Sequence, residues 1–375
     1  MPDRFLVFSD MHFGTPESSI NDPALRRALV DHVVAQAPWR EVILTGDLLD
    51  ANLSSLTRAI EGRPARHGPA ICGFREFLRE LDEAMGRTGA GRGLRDVAGR
   101  WVYVPGNHDY KIWDLLASRL ACEEVLARGD AMGSVPTPVV AHRWEGDASF
   151  FAGLFRPFGA SDRVLVTYPD HEVAFGPDRR LVLTHGHYLD PSQTRGNALP
   201  ASLGGELPEP ELERARRRIV KETAQYQALA SAVSYVEDTR RLADGLFGPA
   251  GLLDRLRKLR DALGRWLLGL AFPSRGALRG QPLSPGLVTS AEVYVERFRG
   301  YRPLPRWFVF GHTHRQGQAR SPRLGLAIYN AGSCYPDQGR PITFLEFDDA
   351  GGEPAVRLMC VDGEGRVGPS DAGAA

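Results

Sequence analysis

Five short apolar, β-branched runs recur along the chain, and each stops abruptly at polar residues. They are Phe5–Phe8, Glu41–Leu44, Trp101–Val104, Leu181–Thr184 and Trp307–Phe310, and each reads as a strand. Helical periodicity separates the first of them, over Pro23–Gln36, Phe74–Met85 and Ile112–Arg128. From Ser134 to Leu183 the pattern turns to short strands: Thr137–Ala141, Ala148–Ala152, Val164–Tyr168 and Leu181–Leu183. Gly325–Tyr329, Ile342–Phe347 and Ala355–Val361 continue it near the end. Strand–helix alternation followed by strand-rich stretches predicts an α/β chain. Its architecture would be a sandwich of two mixed sheets with helices outside.

Residues 190–303 break this pattern. Prolines 200, 208, 210, 249, 273, 282 and 285 punctuate two long helical patterns, Glu211–Leu246 and Gly251–Leu270, and no strand is evident. The expected organisation is therefore a core in two parts, 1–189 and 304–363, interrupted by an all-α insertion at 190–303. A Gly/Ala-rich tail, 364–375, is expected to be disordered. Within the insertion, Leu252, Leu256, Leu259, Leu263, Trp266, Leu267 and Leu270 fall on one helical stripe, with Asp254, Arg257, Lys258, Asp261 and Arg265 opposite. The first reading of 251–270 is a cap packed on the domain. The second is a lid over an acyl chain, or an interfacial helix touching a membrane.

Composition narrows the partners. Formal net charge is zero, so no global field recruits nucleic acid or acidic lipid. Residues 211–265 carry 12 Lys/Arg against 8 Asp/Glu, a local surplus of four with few aromatics. That is modest for a nucleic-acid groove. Cys72, Cys122, Cys334 and Cys360 are widely spaced and form no CxxC pair, which predicts reduced thiols. The opening Met1-Pro2-Asp3-Arg4 lacks the apolar stretch of a secretory signal, and no run approaches a membrane span. A cytoplasmic setting is expected, with the inner face of the membrane as a place of peripheral contact.

The chemistry lies where the five strands end. Asp10-Met11-His12, Gly46-Asp47-Leu48-Leu49-Asp50, Gly106-Asn107-His108-Asp109, His185-Gly186-His187 and Gly311-His312-Thr313-His314 follow them directly. Six of the ten histidines sit in these segments. In open α/β sheets, sites form at the carboxyl ends of strands. Oxygen and imidazole donors without thiolate suit Mn, Fe or Zn, and a pair of such ions activates water and clamps a phosphoryl group. Each segment alone has a bland alternative, since Asn and Asp favour turns and a single Asp-x-His is often a core pair. Five in succession, each behind a strand, favour a metal site. His32, His67, His142 and His171 lie outside any cluster and read as structural or exposed.

In this order the segments resemble the five sequence blocks of the calcineurin-like metallophosphoesterase superfamily, over about 1–185 and 305–347. The resemblance implies a four-layer fold and two divalent metal ions, with manganese the leading expectation. One ion would be held by Asp10, His12, Asp47 and His314, and the other by Asp47, Asn107, His185 and His312. A metal-bridging hydroxide would attack a phosphoester or pyrophosphate in line. His108 would protonate the leaving oxygen, with Asp109 orienting its ring. Asp50 would orient a metal-binding histidine. His187 and Arg315 are candidate substrate contacts, Arg315 by a bidentate grip on phosphate.

A helical insertion between the fourth and fifth blocks is similar to that of the branch hydrolysing UDP-2,3-diacylglucosamine. Arg315 and Tyr329-Asn330-Ala331-Gly332-Ser333 also resemble that branch. The insertion here is longer, and the fourth block reads His-Gly-His rather than His-Gly-Asp. A lipid- or nucleotide-linked substrate is therefore one expectation. A metal-dependent nuclease or cyclic-nucleotide phosphodiesterase, and a non-catalytic metal-binding scaffold, are the alternatives.

Overall fold

The strand runs lack polar alternation because the strands are covered on both faces. The computed structural model of the chain describes residues 3–15, 17–49, 68–110, 112–113, 123, 142–145, 149–176, 178–194, 198–224, 283–336, 340–349 and 354–371. The described strands are β1 (Asp3–Phe8), β2 (Trp39–Leu44), β3 (Ala98–Tyr103), β4 (His142–Glu145), β5 (Val164–Tyr168), β6 (Asp170–Gly176) and β7 (Arg179–Thr184). They continue with β8 (Trp307–Phe310), β9 (Gly317–Arg320), β10 (Ala327–Asn330), β11 (Ile342–Asp349), β12 (Ala355–Val361) and β13 (Val367–Pro369). One sheet has the order β13-β12-β11-β1-β2-β3-β5-β4, and the other β6-β7-β8-β10-β9. In the first, β1, β2, β3 and β5 run parallel. In the second, β7, β8 and β10 do.

Alternate residues of each strand serve two cores. Phe5, Val7, Ile43, Val102 and Leu165 of the first sheet meet Leu181, Leu183 and Val309 of the second. Leu6, Phe8, Val42, Leu44, Trp101 and Tyr103 face the other way, into a helix-covered core. Helices α1 (Pro23–Ala35) and α2 (Gly68–Thr88) supply Leu29, Val33, Phe74 and Phe77 to that core. Helix α1 starts where Asp22 accepts hydrogen bonds from the Ala24 and Leu25 N–H groups, with Pro23 in its first turn. The two mixed sheets with outer helices are the architecture expected from the pattern.

Two expectations are corrected. Ala148–Ala152, read as a strand, overlaps a helical turn at Phe150–Gly153, because the Ser149 hydroxyl accepts from the Ala152 N–H and Phe151 stacks on Tyr103. In the tail, the described residues 364–371 include strand β13 rather than disorder. Strand β13 pairs antiparallel with β12, across a turn in which Asp362 accepts from the Glu364 and Arg366 N–H groups. Those backbone bonds offset the missing apolar side chains. Thr137–Ala141 and most of Ile112–Arg128 lie outside the described residues.

Between 190 and 303 the described secondary structure is helical, including a helix over 209–224 and α3 (Pro285–Val293). Leu199, Leu203, Leu212, Ile219, Leu287 and Tyr294 join the helix-covered core. The two ends of the insertion are thus built into the body of the protein. Asp170, at the start of β6, ties one end down by accepting from Tyr294 Oη at 2.9 Å and Arg299 Nε at 2.7 Å. The stripe from Leu252 to Leu270 lies outside the described residues. Among the described residues, no helix is long and apolar enough to cross a membrane.

Candidate metal centre

All five ligand-bearing strands finish at one rim, and the loops beyond them turn in an unusual way. Among the described residues, the non-glycine positions with positive φ are Asp10 (51°), His12 (48°), Asp47 (48°), His312 (64°) and His314 (61°). Each is an expected ligand. L-residues avoid this region, and clusters of such strain mark functional sites. Strand β1 stops at Phe8, and the left-handed turns bring the Asp10 and His12 side chains to the rim. Two glycines make the approach possible: a Cβ on Gly106 would collide with Asp47, and one on Gly311 with Ser9 and Asp10.

The side chains form two groups that share one oxygen. Around the first, Asp10 Oδ1 lies 3.1 Å from His314 Nε2 and 3.9 Å from His12 Nε2. His12 Nε2 is 3.3 Å from His314 Nε2 and 3.9 Å from Asp47 Oδ2. Around the second, His185 Nε2 is 3.4 Å from the same Asp47 Oδ2, 2.9 Å from Asn107 Oδ1 and 3.2 Å from His312 Nδ1. Donors about 2.1 Å from one octahedral ion lie about 3.0 Å apart when cis and about 4.2 Å when trans. Both groups fit that range. The structure brings together all seven residues expected to bind metal, with Asp47 at the junction.

Hydrogen bonds decide which carboxylate oxygen faces the centre. Asp10 Oδ2 accepts from Ser9 Oγ and from the His312 N–H at 2.8 Å. Its Oδ1 is buried and accepts no well-formed hydrogen bond. Asp47 Oδ1 accepts from the His108 N–H at 2.8 Å, leaving Oδ2 to the cluster. His185 donates from Nδ1 to the Thr45 carbonyl at 2.9 Å, so Nε2 is the nitrogen turned to the cluster.

The electrostatics call for positive charge. Burial pushes both carboxylates up, but neighbouring rings outweigh it. His185 and His314 hold Asp10 down at about 2, and His185 and His108 hold Asp47 well below the usual range. Burial opposes charge on His185, yet Asp47 and Asp10 raise it to about 10. Two buried carboxylates stay ionised only against cations. Divalent ions on the same atoms fit that requirement.

The remaining expected residues divide. The His108 side chain is 37% exposed, with Nε2 3.9 Å from Asp47 Oδ2. Asp109, expected to orient that ring, directs both carboxylate oxygens to backbone. Its Oδ2 accepts from the Leu48 N–H, and its Oδ1 from the Gly106 N–H. Asp109 therefore fastens the second segment to the third. His187, a candidate substrate contact, is fully buried and stacks on Tyr168, with Nε2 3.2 Å from Tyr168 Oη. It is a core histidine behind His185. Burial, with His185 and His312, holds it well below its ordinary value. Arg315 is partly buried beside His314, and Asp50 lies outside the described residues.

His32 and His171 are structural, paired with Glu346 and Glu41 at 2.7 and 2.8 Å. His67 and the side chain of His142 lie outside the described residues. Sequence reasoning missed Tyr335, which stacks on His314 at 4.9 Å and meets the edge of His12. It also missed Asp190, which meets His312 Nε2 at 3.0 Å. Neither sits in a metal-binding block: Asp190 follows the fourth by three residues, and Tyr335 lies 21 residues beyond the fifth.

The sequence model of the calcineurin-like phosphoesterase family matches residues 3–224. No curated protein matches the chain. Among solved structures, it is similar to a dimetal phosphatase from Danio rerio at 14% identity, covering 96% of each chain, with a TM-score of 0.38. It is similar to GAP50 of Plasmodium at 9% identity, covering 98% of this chain and 88% of that one, with a TM-score of 0.40. Zinc-bound Vps29 from Entamoeba histolytica is similar at 11% identity, with 98% and 97% covered and a TM-score of 0.33.

Proposed function

The chain belongs to the calcineurin-like phosphoesterase family, and on that premise we propose that it is a two-metal hydrolase of phosphoesters or pyrophosphates. The observation that carries this reading is Asp47 Oδ2, one oxygen common to both donor groups. Asp10, His12, Asp47 and His314 would hold one divalent ion. Asp47, Asn107, His185 and His312 would hold the other. Manganese is the proposed metal, from donors that are imidazole, carboxylate and amide. When bound, such a pair supplies an acidified water and neutralises charge on the phosphoryl group.

The chain's own residues do the rest. His108, exposed beside Asp47, is placed to hand a proton to the leaving oxygen. Arg315 follows His314 and is assigned a grip on phosphate. The proposed substrate is a small or lipid-linked phosphodiester or nucleotide pyrophosphate, consistent with zero net charge. A cytoplasmic setting suits the free thiols of Cys72, Cys334 and Cys360.

The test is metal analysis of the purified chain, together with hydrolysis of bis-p-nitrophenyl phosphate in manganese. About two ions per chain are expected, with activity abolished in Asp47→Ala. Full activity in that variant, or less than one ion per chain, would overturn the reading. Cleavage of DNA or RNA in preference to small diesters would overturn the substrate assignment.

A further inference from the structure

His312 and His185 both offer a ring nitrogen to the second donor group, but their far nitrogens meet different partners. His185 donates its Nδ1 proton to a neutral backbone carbonyl, Thr45 O, at 2.9 Å. His312 turns Nδ1 toward His185 Nε2 at 3.2 Å, and its Nε2 lies 3.0 Å from Asp190 Oδ2. Asp190 is 5% exposed. Its backbone is pinned on both sides: the Asp190 N–H donates to the His187 carbonyl, and the Asp190 carbonyl accepts from the Gln193 N–H at 3.0 Å. Asp190 stands where the chain leaves the fourth segment for the helical insertion, outside the matching motifs.

We propose that Asp190 is a positioning residue for the His312-bearing metal site, fixing the ring's tautomer and direction so that Nδ1 keeps a free lone pair. The inference rests on the two-metal reading. A carboxylate has only acceptors, so the proton shared with Nε2 belongs to the imidazole. In the neutral ring Nδ1 then carries the lone pair, as ligation requires. The charge also makes the ring a stronger donor than a carbonyl partner would. Because Asp190 heads the insertion, any rearrangement of that root would be felt at one metal and not directly at the other.

The experiment is manganese titration of the metal-free full-length chain, wild type against Asp190→Asn, followed by calorimetry and by manganese retention against a chelator. One of two binding steps in Asp190→Asn should weaken about 10–100-fold, the range for lost partners of ligating histidines. The other step should stay unchanged. Excess manganese should restore turnover. Two steps as tight as in wild type would overturn the inference and leave the two-metal reading standing. A wild type that binds no manganese would instead sink the underlying reading.

A second measurement does not depend on the variant folding. In ¹⁵N-histidine spectra of the wild-type chain, the His312 resonances, assigned by their loss in His312→Gln, should report the proton on Nε2. A proton on Nδ1 would overturn the proposal.

Discussion

Replacing Asn330 with alanine should loosen the centre without touching a ligand. Asn330 is fully buried at the end of β10. Its Nδ2 donates to the Gly311 carbonyl at 3.0 Å and to Thr313 Oγ1 at 2.8 Å. Its Oδ1 accepts from the Gly332 N–H at 2.8 Å. One amide thus holds the loop that carries His312 and His314 against the neighbouring strand. Asn330→Ala removes these three bonds; the Gly311 carbonyl keeps the Thr313 N–H at 2.7 Å, while the Thr313 hydroxyl and the Gly332 N–H lose the amide. Each lost bond costs about 1 kcal/mol net, and more where the group stays dry, so a total of about 3–5 kcal/mol is expected. Unfolding entropy is about 2 cal/mol/K per residue, which over 375 residues converts 4 kcal/mol into a Tm drop of about 5 °C. The assay is thermal unfolding with manganese analysis on the same samples. Asn330→Asp should share the defect, since a carboxylate cannot donate to Gly311. A Tm within about 1 °C of wild type together with full metal content would refute the reasoning.

His187→Phe should fold and keep most of its activity, because the ring is buried and Tyr168 Oη retains Tyr188 Oη at 2.9 Å. A hundredfold rise in KM at unchanged kcat would return His187 to the substrate. Acid should destabilise the chain partly through two mostly buried glutamates. Burial pushes Glu41 and Glu346 up, but His171 with Arg100, and His32 with Arg357, hold both below the ordinary 4.5. A depressed folded pKa means stability that is present above 4.5 and lost as pH falls through the folded value. The double variant Glu41→Gln/Glu346→Gln should start with a lower Tm at neutral pH and lose less of it toward about pH 3. Equal slopes for the two proteins would show that these pairs do not govern the acid limb.

The ligand-bearing strands were legible because burial on two faces forces continuous apolar runs, and a ligand at a strand end interrupts such a run sharply. The run Trp101–Val104 followed by Gly106-Asn107-His108-Asp109 announces both a central strand and a polar rim. Helix α1 was legible from its periodicity, with Asp22 and Pro23 at its start. Strand β13 was not, because Val367-Gly368-Pro369 carries little apolar pattern and is held by backbone pairing to β12. The placement of Asp109 was not legible either. The resemblance implied a pair with His108, whereas the fold turned the carboxylate inward onto Leu48 and Gly106.

By itself the sequence determined the strand ends and the donor types: three Asp/Asn oxygens and four ring nitrogens, in segments spread from Asp10 to His314. Those follow from local chemistry, since an apolar run makes a strand and glycine permits a tight exit from it. Only the tertiary structure decided which oxygen of each carboxylate faces the centre, that Asp47 Oδ2 serves both groups, and that Asp190 stands behind His312. These are relations between residues as far as 302 positions apart. They exist only once the parallel strands pair and bring five separate loops to one rim.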